Sequence, residues 1–323
     1  MRIGFILIDG YALMSTAAAV EPLRAANLLA GRMLYDMRFL AVGGPTARAS
    51  AGALFETVPL AEAGTDFDLV FVVAGGNPFA VRAPILDAYL RRLDARRVRL
   101  GGISGGAALL ALAGVMGGRR FTVHWEHMDA LRELSDRFLL ERSLFVIDRV
   151  RLTCAGGVAP LDMMHALITA DHGMALAREV SDWFIHTQVR PSQDPQRAGL
   201  VEKYNVHHPS LLAAIELMGS HIADPLGLEH LAELSGLGSR QFQRLFKDRL
   251  GTTAMAFYRD LRLAKADDLL RQSPLSILDV GVACGFPNPS HFARLYRARY
   301  GISPGEARRA PGRGSAEAPA RRP

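Results

Sequence analysis

Along the first 190 positions, short unbroken apolar runs alternate with longer stretches whose apolar residues recur every three or four positions. The runs IGFILI (3–8), DMRFLAVGG (36–44), DLVFVVAGG (68–76) and VRLGGIS (98–104) read as strands buried on both faces. RRFTVHW, LFVIDR and VRLTCAGG read as further strands, whereas STAAAVEPLRAANLLA, APILDAYLRRLDARR, GGAALLALAG and PLDMMHALITADHG carry helical spacing. Strands alternating with helices predict an α/β fold with a mostly parallel sheet, covered on both faces. Ligands of such sheets collect at the carboxyl ends of the strands. The loops at 9–11, 75–77, 104–106 and 124–126 would then lie on one rim.

The pattern changes after RPSQDPQRAG (190–199), a polar stretch with two prolines. The expected organisation is an α/β domain over 1–190, a linker over 191–209, an all-α domain over 210–309 and a disordered Pro/Gly/Ala/Arg-rich tail over 310–323. The all-α domain repeats a single pattern twice. In residues 227–251 Leu228, Leu231, Ala232 and Leu234 share a face, a break follows at Ser235-Gly236-Leu237, and a second helix starts near Ser239 with Phe242, Leu245, Phe246 and Leu250 inward. In residues 276–301 the buried set is Ile277, Val280, Ala283 and Phe286, then Phe292, Leu295 and Tyr296. Each copy reads as a helix-turn-helix, and TAMAFYRDLRLAKADDLLRQS (253–273) as the rigid helix between them. Ser239, Arg240, Gln243, Arg244 and Lys247 of the first copy, and Asn288, Ser290, His291, Arg294 and Arg297 of the second, are the candidate DNA-binding residues.

Charge sharpens that reading. Residues 1–195 hold 20 Lys+Arg against 20 Asp+Glu, and residues 196–323 hold 18 against 12, so the whole net charge of +6 sits in the helical half. A basic module attached to a neutral one points to nucleic acid as partner. No apolar run approaches the roughly 20 residues of a membrane helix. The cysteines, Cys154 and Cys284, are far apart and lack metal-ligand spacing, which fits a reducing cytoplasm. No cofactor and no metal site are expected; His127, His165, His172, His207 and His208 read as structural or surface residues.

Gly285-Phe286, Ser290, Phe292, Arg294, Tyr296-Arg297 and the following Gly301-x-Ser303-Pro304 resemble the signature of the AraC family of transcription regulators over about the last hundred ordered positions. The resemblance implies that both recognition helices enter successive major-groove segments on one face of double-stranded DNA. Pro287 and Pro289 depart from it at the mouth of the second helix, where Pro289 is compatible with a helix start.

Gly102-Ile103-Ser104-Gly105-Gly106 has the G-x-S-x-G spacing of a serine-hydrolase elbow. That fold needs an acid and then a histidine later in the chain, and the candidates Asp162 with His165 or His172 sit on one helix and cannot straddle Ser104. Residues 1–190 instead resemble the ThiJ/PfpI superfamily, related to class I glutamine amidotransferases, which implies a flavodoxin-like sandwich. The elbow, the AGGNP loop (74–78) and His124 of FTVHWEH carry this resemblance. With the AraC-like half, the chain is similar to the GlxA-type regulators. TVHWEH, LFVIDRVRLTCAGGVAPLDMM and FIHTQVR place it nearest those that respond to arginine, carnitine or glycine betaine.

The match to the enzymatic pattern is incomplete. Serine replaces cysteine at 104, Ser15 stands where an acidic partner is expected, and no acidic group is apparent to orient His124. A serine hydroxyl needs a neighbouring base to become a nucleophile. The expectation is therefore a non-enzymatic transcription regulator with a degenerate pocket. Ser15, Gly75, Gly76, Asn77, Ser104, Gly105, His124, Trp125 and Glu126 would bind an amino-acid-like or quaternary-amine effector, the amides taking its carboxylate and Trp125 and Glu126 its cationic end. A homodimer is implied by the resemblance, with RNA polymerase as a candidate partner and no membrane partner. The rival readings are an active hydrolase or isomerase tethered to a DNA-binding module, and a basic helical module that docks a protein.

Overall fold

A computed structural model describes residues 1–197 and 199–310, which divide into two compact units on either side of Gln196 and Arg197. The first unit holds strands β1 (Arg2–Leu7), β2 (Asp36–Ala41), β3 (Thr46–Arg48), β4 (Leu54–Glu56), β5 (Val58–Pro59), β6 (Leu69–Ala74), β7 (Arg99–Ser104), β8 (Arg120–Phe121), β9 (Leu139–Leu140), β10 (Phe145–Asp148) and β11 (Arg151–Cys154). Its helices are α1 (Leu13–Leu29), α2 (Pro84–Ala95), α3 (Gly106–Leu112), α4 (Trp125–Leu134), α5 (Ala159–His172) and α6 (Met174–Trp183). Seven strands form one sheet in the order β10-β11-β7-β6-β1-β2-β5, parallel throughout except for the β10–β11 hairpin.

The strands are buried on both faces because both are covered by helices. Ile3, Phe5 and Leu7 of β1 and Leu69, Phe71 and Val73 of β6 join a core with residues of α1, α5 and α6. Ile6, Val70 and Val72 are equally buried, and strand alternation turns them to the opposite face. A row of rings fixes the register: Phe39, Phe5 and Phe71 stack across β2, β1 and β6 with centroids 5.9 and 5.5 Å apart. Gly101 closes the row on β7, since a Cβ there would lie 2.1 Å from the Phe71 ring.

RRFTVHW departs from the expected strand. Only Arg120–Phe121 is extended, and Trp125 opens α4. His124 caps that helix with its ring, so polarity at the cap decides the end of the strand. The stretch expected as a linker, 191–209, falls on both sides of the boundary between the units. Its residues up to Gln196 pack with the first unit, and Leu200–Tyr204 forms a short helix, α7.

The exit of the chain from the first unit is tied down. The buried Asp162 carboxylate of α5 accepts from the Arg190 backbone N (2.9 Å), Nε (3.0 Å) and Nη2 (2.7 Å), and His186 Nε2 lies 3.0 Å from it. Asp162 therefore serves as the anchor of the chain's return and is unavailable to a triad at Ser104. Leu144 N donates to Ser192 O at 2.8 Å. The Gln196 amide donates to Thr122 Oγ1 (3.0 Å), Val123 O (3.1 Å) and Ser143 O (2.8 Å).

The second unit adds α8 (Pro209–Ser220), α9 (Leu228–Leu234), α10 (Ser239–Leu250), α11 (Ala254–Gln272), α12 (Ile277–Ala283), α13 (Pro289–Tyr300) and α14 (Pro304–Arg309). Leu211, Ile215, Met218, Leu231, Phe242, Phe246 and Tyr258 form its first core. Val280, Cys284, Phe286, Phe292 and Tyr296 are buried side chains of the second motif. Two expected core residues are instead surface residues: Leu234 is 50% exposed and Ile277 37% exposed, each on the rim of a seven-residue helix whose inward stripe is narrower than its sequence pattern. The expected tail lies, apart from Ala310, outside the described residues. No helix among the described residues is long and apolar enough to cross a membrane.

Replacing Asp162 by Ala leaves Arg190 and His186 without their buried partner, so the first unit is expected to lose about 3–5 kcal/mol of stability in urea unfolding. A loss below about 1 kcal/mol would show that the exit segment does not depend on this anchor.

Candidate functional site

At the carboxyl end of β7 the chain turns sharply into α3, and Ser104 occupies the turn with φ +56°, a left-handed conformation that costs a non-glycine residue about 1–2 kcal/mol. Packing holds it there. A Cβ on Gly106 would lie 1.9 Å from Val72 O, so α3 can approach β6 only because that side chain is missing. On the other side, a Cβ on Gly156 would lie 2.6 Å from Ser104 Cβ. The expected strand-to-helix elbow is present, with Ser104 buried at 7% exposure.

The neighbouring strand ends complete the rim. Ala74 pairs with Ser104, and the loop after it carries Gly75, Gly76 and Asn77. Asn77 caps the short turn Pro78–Ala80, its Oδ1 accepting from Phe79 N at 2.9 Å. The loop after β1 lies against this one: a Cβ on Gly75 would come within 2.5 Å of Gly10 O. Gly105 departs from its expected role, because its amide donates to Ala74 O at 3.1 Å and serves the fold.

Ser15 lies in the first turn of α1, just beyond β1, and is buried. Among the described residues its Oγ has no hydrogen-bond partner, and neither has the hydroxyl of the buried Tyr11 beside the same loop. Orphaned buried hydroxyls cost about 1–3 kcal/mol each, so two at one sheet edge are a marked feature. Nothing in the sequence pattern singles out Tyr11.

His124 is positioned by the segment that leads into α4. Arg120 N donates to Asp148 Oδ2 of β10 at 2.9 Å and Thr122 N to Thr153 Oγ1 of β11 at 3.0 Å, so this segment is tied to the β10–β11 hairpin. His124 follows two residues further on, as the cap of α4. Its Nδ1 accepts from Glu126 N at 3.4 Å and lies 3.7 Å from Glu126 Oε2. An acidic group therefore does stand beside His124, on the first turn of a helix where the sequence pattern predicts a strand. Trp125 is half-buried, its ring centroid 5.1 Å from that of His124.

His127, expected to be a structural or surface residue, is buried. Burial, reinforced by His124, pushes its pKa down to about 3, which keeps the ring neutral, and its Nδ1 has no partner among the described residues. His124, Glu126 and His127 each offer a donor atom within 4.8 Å of the others, a grouping that an extended reading of RRFTVHW hides. Cys154, in register with Ile103, supplies no alternative nucleophile: burial pushes its thiol up to about 12.

In the second unit the structure presents two surface stripes. Arg240, Gln243, Arg244 and Lys247 are exposed on α10, with the partly exposed Ser239 at its start. Ser290, His291, Arg294 and Arg297 are exposed on α13. Asn288 is the cap of α13, its Oδ1 accepting from His291 N at 2.9 Å, and Pro289 takes the first helical position as its ring requires. Arg297 Nη2 lies 3.8 Å from Glu306 Oε2 on α14. The two motifs are locked together. α11 contributes Tyr258 to the first core and, through Asp267, accepts the Tyr296 hydroxyl of the second. Arg262 of α11 lies 4.0 Å over the Phe286 ring and donates to Cys284 O.

Residues 1–170 match the DJ-1/PfpI family and residues 231–310 a helix-turn-helix domain. The chain is 45% identical to the HTH-type transcriptional regulator GlxA of Rhizobium meliloti, the match covering 96% of each chain. It is 42% identical to the HTH-type transcriptional regulator CdhR of Pseudomonas aeruginosa, over 94% of this chain and 90% of that one. Among solved structures, an AraC family transcriptional regulator from Pseudomonas putida superposes with a TM-score of 0.51 at 27% identity, covering 57% of this chain and 98% of its own.

Gly156→Ala tests the elbow. With φ +92° and the Ser104 side chain in its path, the new methyl is expected to cost about 2–3 kcal/mol and lower the thermal midpoint of the full chain. Gly157→Ala, where a Cβ meets nothing within 4 Å, carries only the backbone penalty of about 1 kcal/mol. Equal losses in the two variants would remove Gly156 from the support of Ser104.

Proposed function

The chain belongs to the DJ-1/PfpI family and, over nearly its whole length, to the HTH-type transcriptional regulators, and from that membership we propose that the pocket at Ser104 senses a small molecule and does not catalyse a reaction. DNA-binding transcription regulation is the activity of the family, and the helix-turn-helix unit is its instrument. The observation that carries the sensing reading is the pair of buried orphan hydroxyls, Ser15 and Tyr11, at the edge where the strand ends converge. A ligand with several polar atoms would satisfy them.

The chemistry of the rim favours a zwitterion. The loop amides of Gly75 and Gly76, with Ser104, suit a carboxylate. The Trp125 face and the Glu126 carboxylate suit an ammonium or quaternary amine. The effector class we propose is therefore an amino acid or a betaine. Occupancy would reach the second unit through Gln196. The three bonds of that amide to residues 122, 123 and 143 tie the end of the first unit to the segment that carries His124. A shift of His124 to meet a ligand would disturb the Val123 carbonyl and so the start of the connection.

On the DNA side, the proposed contacts are Arg240, Gln243, Arg244 and Lys247 from α10, and Ser290, His291 and Arg294 from α13. Ser239 and Asn288 flank them at the helix starts, and Arg297 would exchange Glu306 for a phosphate. We place the protein in the cytoplasm as a homodimer.

One observation favours a second reading, an active hydrolase, namely the carboxylate of Glu126 beside His124. Its weakness is distance. Glu126 Oε2 stands 3.7 Å from His124 Nδ1, too far for the hydrogen bond by which a triad acid fixes its histidine.

Two measurements test these readings. DNA from the chain's own upstream region is expected to bind with a steep inverse dependence on salt, and the effective member of an amino-acid and betaine panel should change the affinity. Gln196→Ala should keep the ligand's thermal shift yet lose its effect on DNA affinity; retention of both would sink the Gln196 route. Separately, hydrolysis of p-nitrophenyl esters by the full chain should be at background and unaltered by Ser104→Ala. A turnover abolished by that substitution would overturn the sensing-only assignment.

A further inference from the structure

From the grouping of His124, Glu126 and His127 we propose that the start of α4 is a binding site for a first-row divalent transition-metal ion of the zinc class. One ring nitrogen from each histidine and one carboxylate oxygen lie within 4.8 Å of one another. The His127 side chain is 2% exposed, and its Nδ1 has no hydrogen-bond partner among the described residues, an independent sign that a group belongs there.

Metal–nitrogen and metal–oxygen bonds of about 2.0–2.2 Å set tetrahedral donors about 3.3 Å apart. The site therefore closes by rotation of the two half-buried side chains, His124 and Glu126, onto His127, which is fixed in the core against the Phe79 ring at 6.2 Å. The donor set also selects the ion. Two imidazoles and one carboxylate suit zinc, nickel, copper or cobalt, whereas magnesium and calcium require mostly oxygen. The amino end of α4 carries positive dipole charge that works against a cation. The Glu126 carboxylate offsets it, and the covalent preference of these ions for imidazole adds the rest. Three protein donors leave a fourth position for water or for an oxygen or nitrogen of a small molecule. The ion takes the Glu126 carboxylate, so with the metal bound the cationic end of the proposed effector would be left to the Trp125 face.

The test uses full-length protein stripped with chelator and titrated calorimetrically with zinc sulfate, and in parallel with cobalt chloride while the visible absorption is followed. One equivalent per chain is expected, with a cobalt spectrum typical of four- or five-coordinate nitrogen and oxygen ligands. Magnesium chloride should give no signal. His124→Ala and Glu126→Gln, both at half-buried positions that folding tolerates, should each weaken zinc binding at least tenfold, while His165→Ala binds as the unaltered chain does. His127→Asn should abolish binding, with circular dichroism confirming its fold. The proposal is overturned if the stripped protein takes up no zinc at 100-fold excess, or if His124→Ala and Glu126→Gln bind as tightly as the parent. It also fails if His165→Ala is the variant that loses the ion.

Discussion

Three backbone approaches around residue 104 set the terms for the first unit. α3 lies so close to β6 that Gly106 has no room for a side chain, Gly102 is equally closed in by Ala107, and Gly156 presses on Ser104 from the next strand loop. Each contact is between backbone and backbone or backbone and Cβ, so none can relax through a rotamer change. The elbow is therefore a property of the sheet and its first covering helix, and its shape does not depend on the chemistry of the side chain at its tip. That independence lets the elbow keep its geometry with serine at its tip.

The two units put rigidity to different uses. In the first, Tyr11 and Ser15, whose buried hydroxyls lack partners among the described residues, lie on a loop and a first helical turn just beyond β1, while the strands are apolar and locked by stacked rings. Binding there can alter loops without altering the sheet. In the second, the shared helix α11 and the Arg262–Phe286 and Asp267–Tyr296 contacts join the two motifs into one body. Gly285 adds to this by fitting against Ile222 and Pro225 ahead of the first motif.

Much of this is legible in the sequence because periodicity and register share a cause. Continuous apolar runs such as DLVFVVAGG can be buried only between two helical layers, and that is where β6 lies. The elbow is legible from its glycines, and the recognition helices from long cationic side chains opposite paired phenylalanines. The features that the linear pattern hides depend on single hydrogen bonds. The strand towards His124 ends early because the His124 ring caps a helix, and the cap creates the proximity of Glu126. The role of Gln196 is equally hidden, since a glutamine in a polar, proline-rich stretch looks like linker until its three acceptors are seen. Leu234 and Ile277 err the other way, their periodicity being real but the helices too short to bury a full stripe.

With α10 and α13 as the DNA-contacting helices proposed above, their locking through α11 would also make the second unit a gauge of distance along the duplex. Two helices that cannot move apart must meet groove segments at one separation and one rotational phase. A single base pair inserted between those segments displaces the far one by about 3.4 Å and turns it by roughly a tenth of a helical turn. The unit would then have to release one segment or bend the DNA to recover it. On that proposal, selectivity for an operator would reside partly in bases that no side chain touches, as the length and pliability of the stretch between the two contacts.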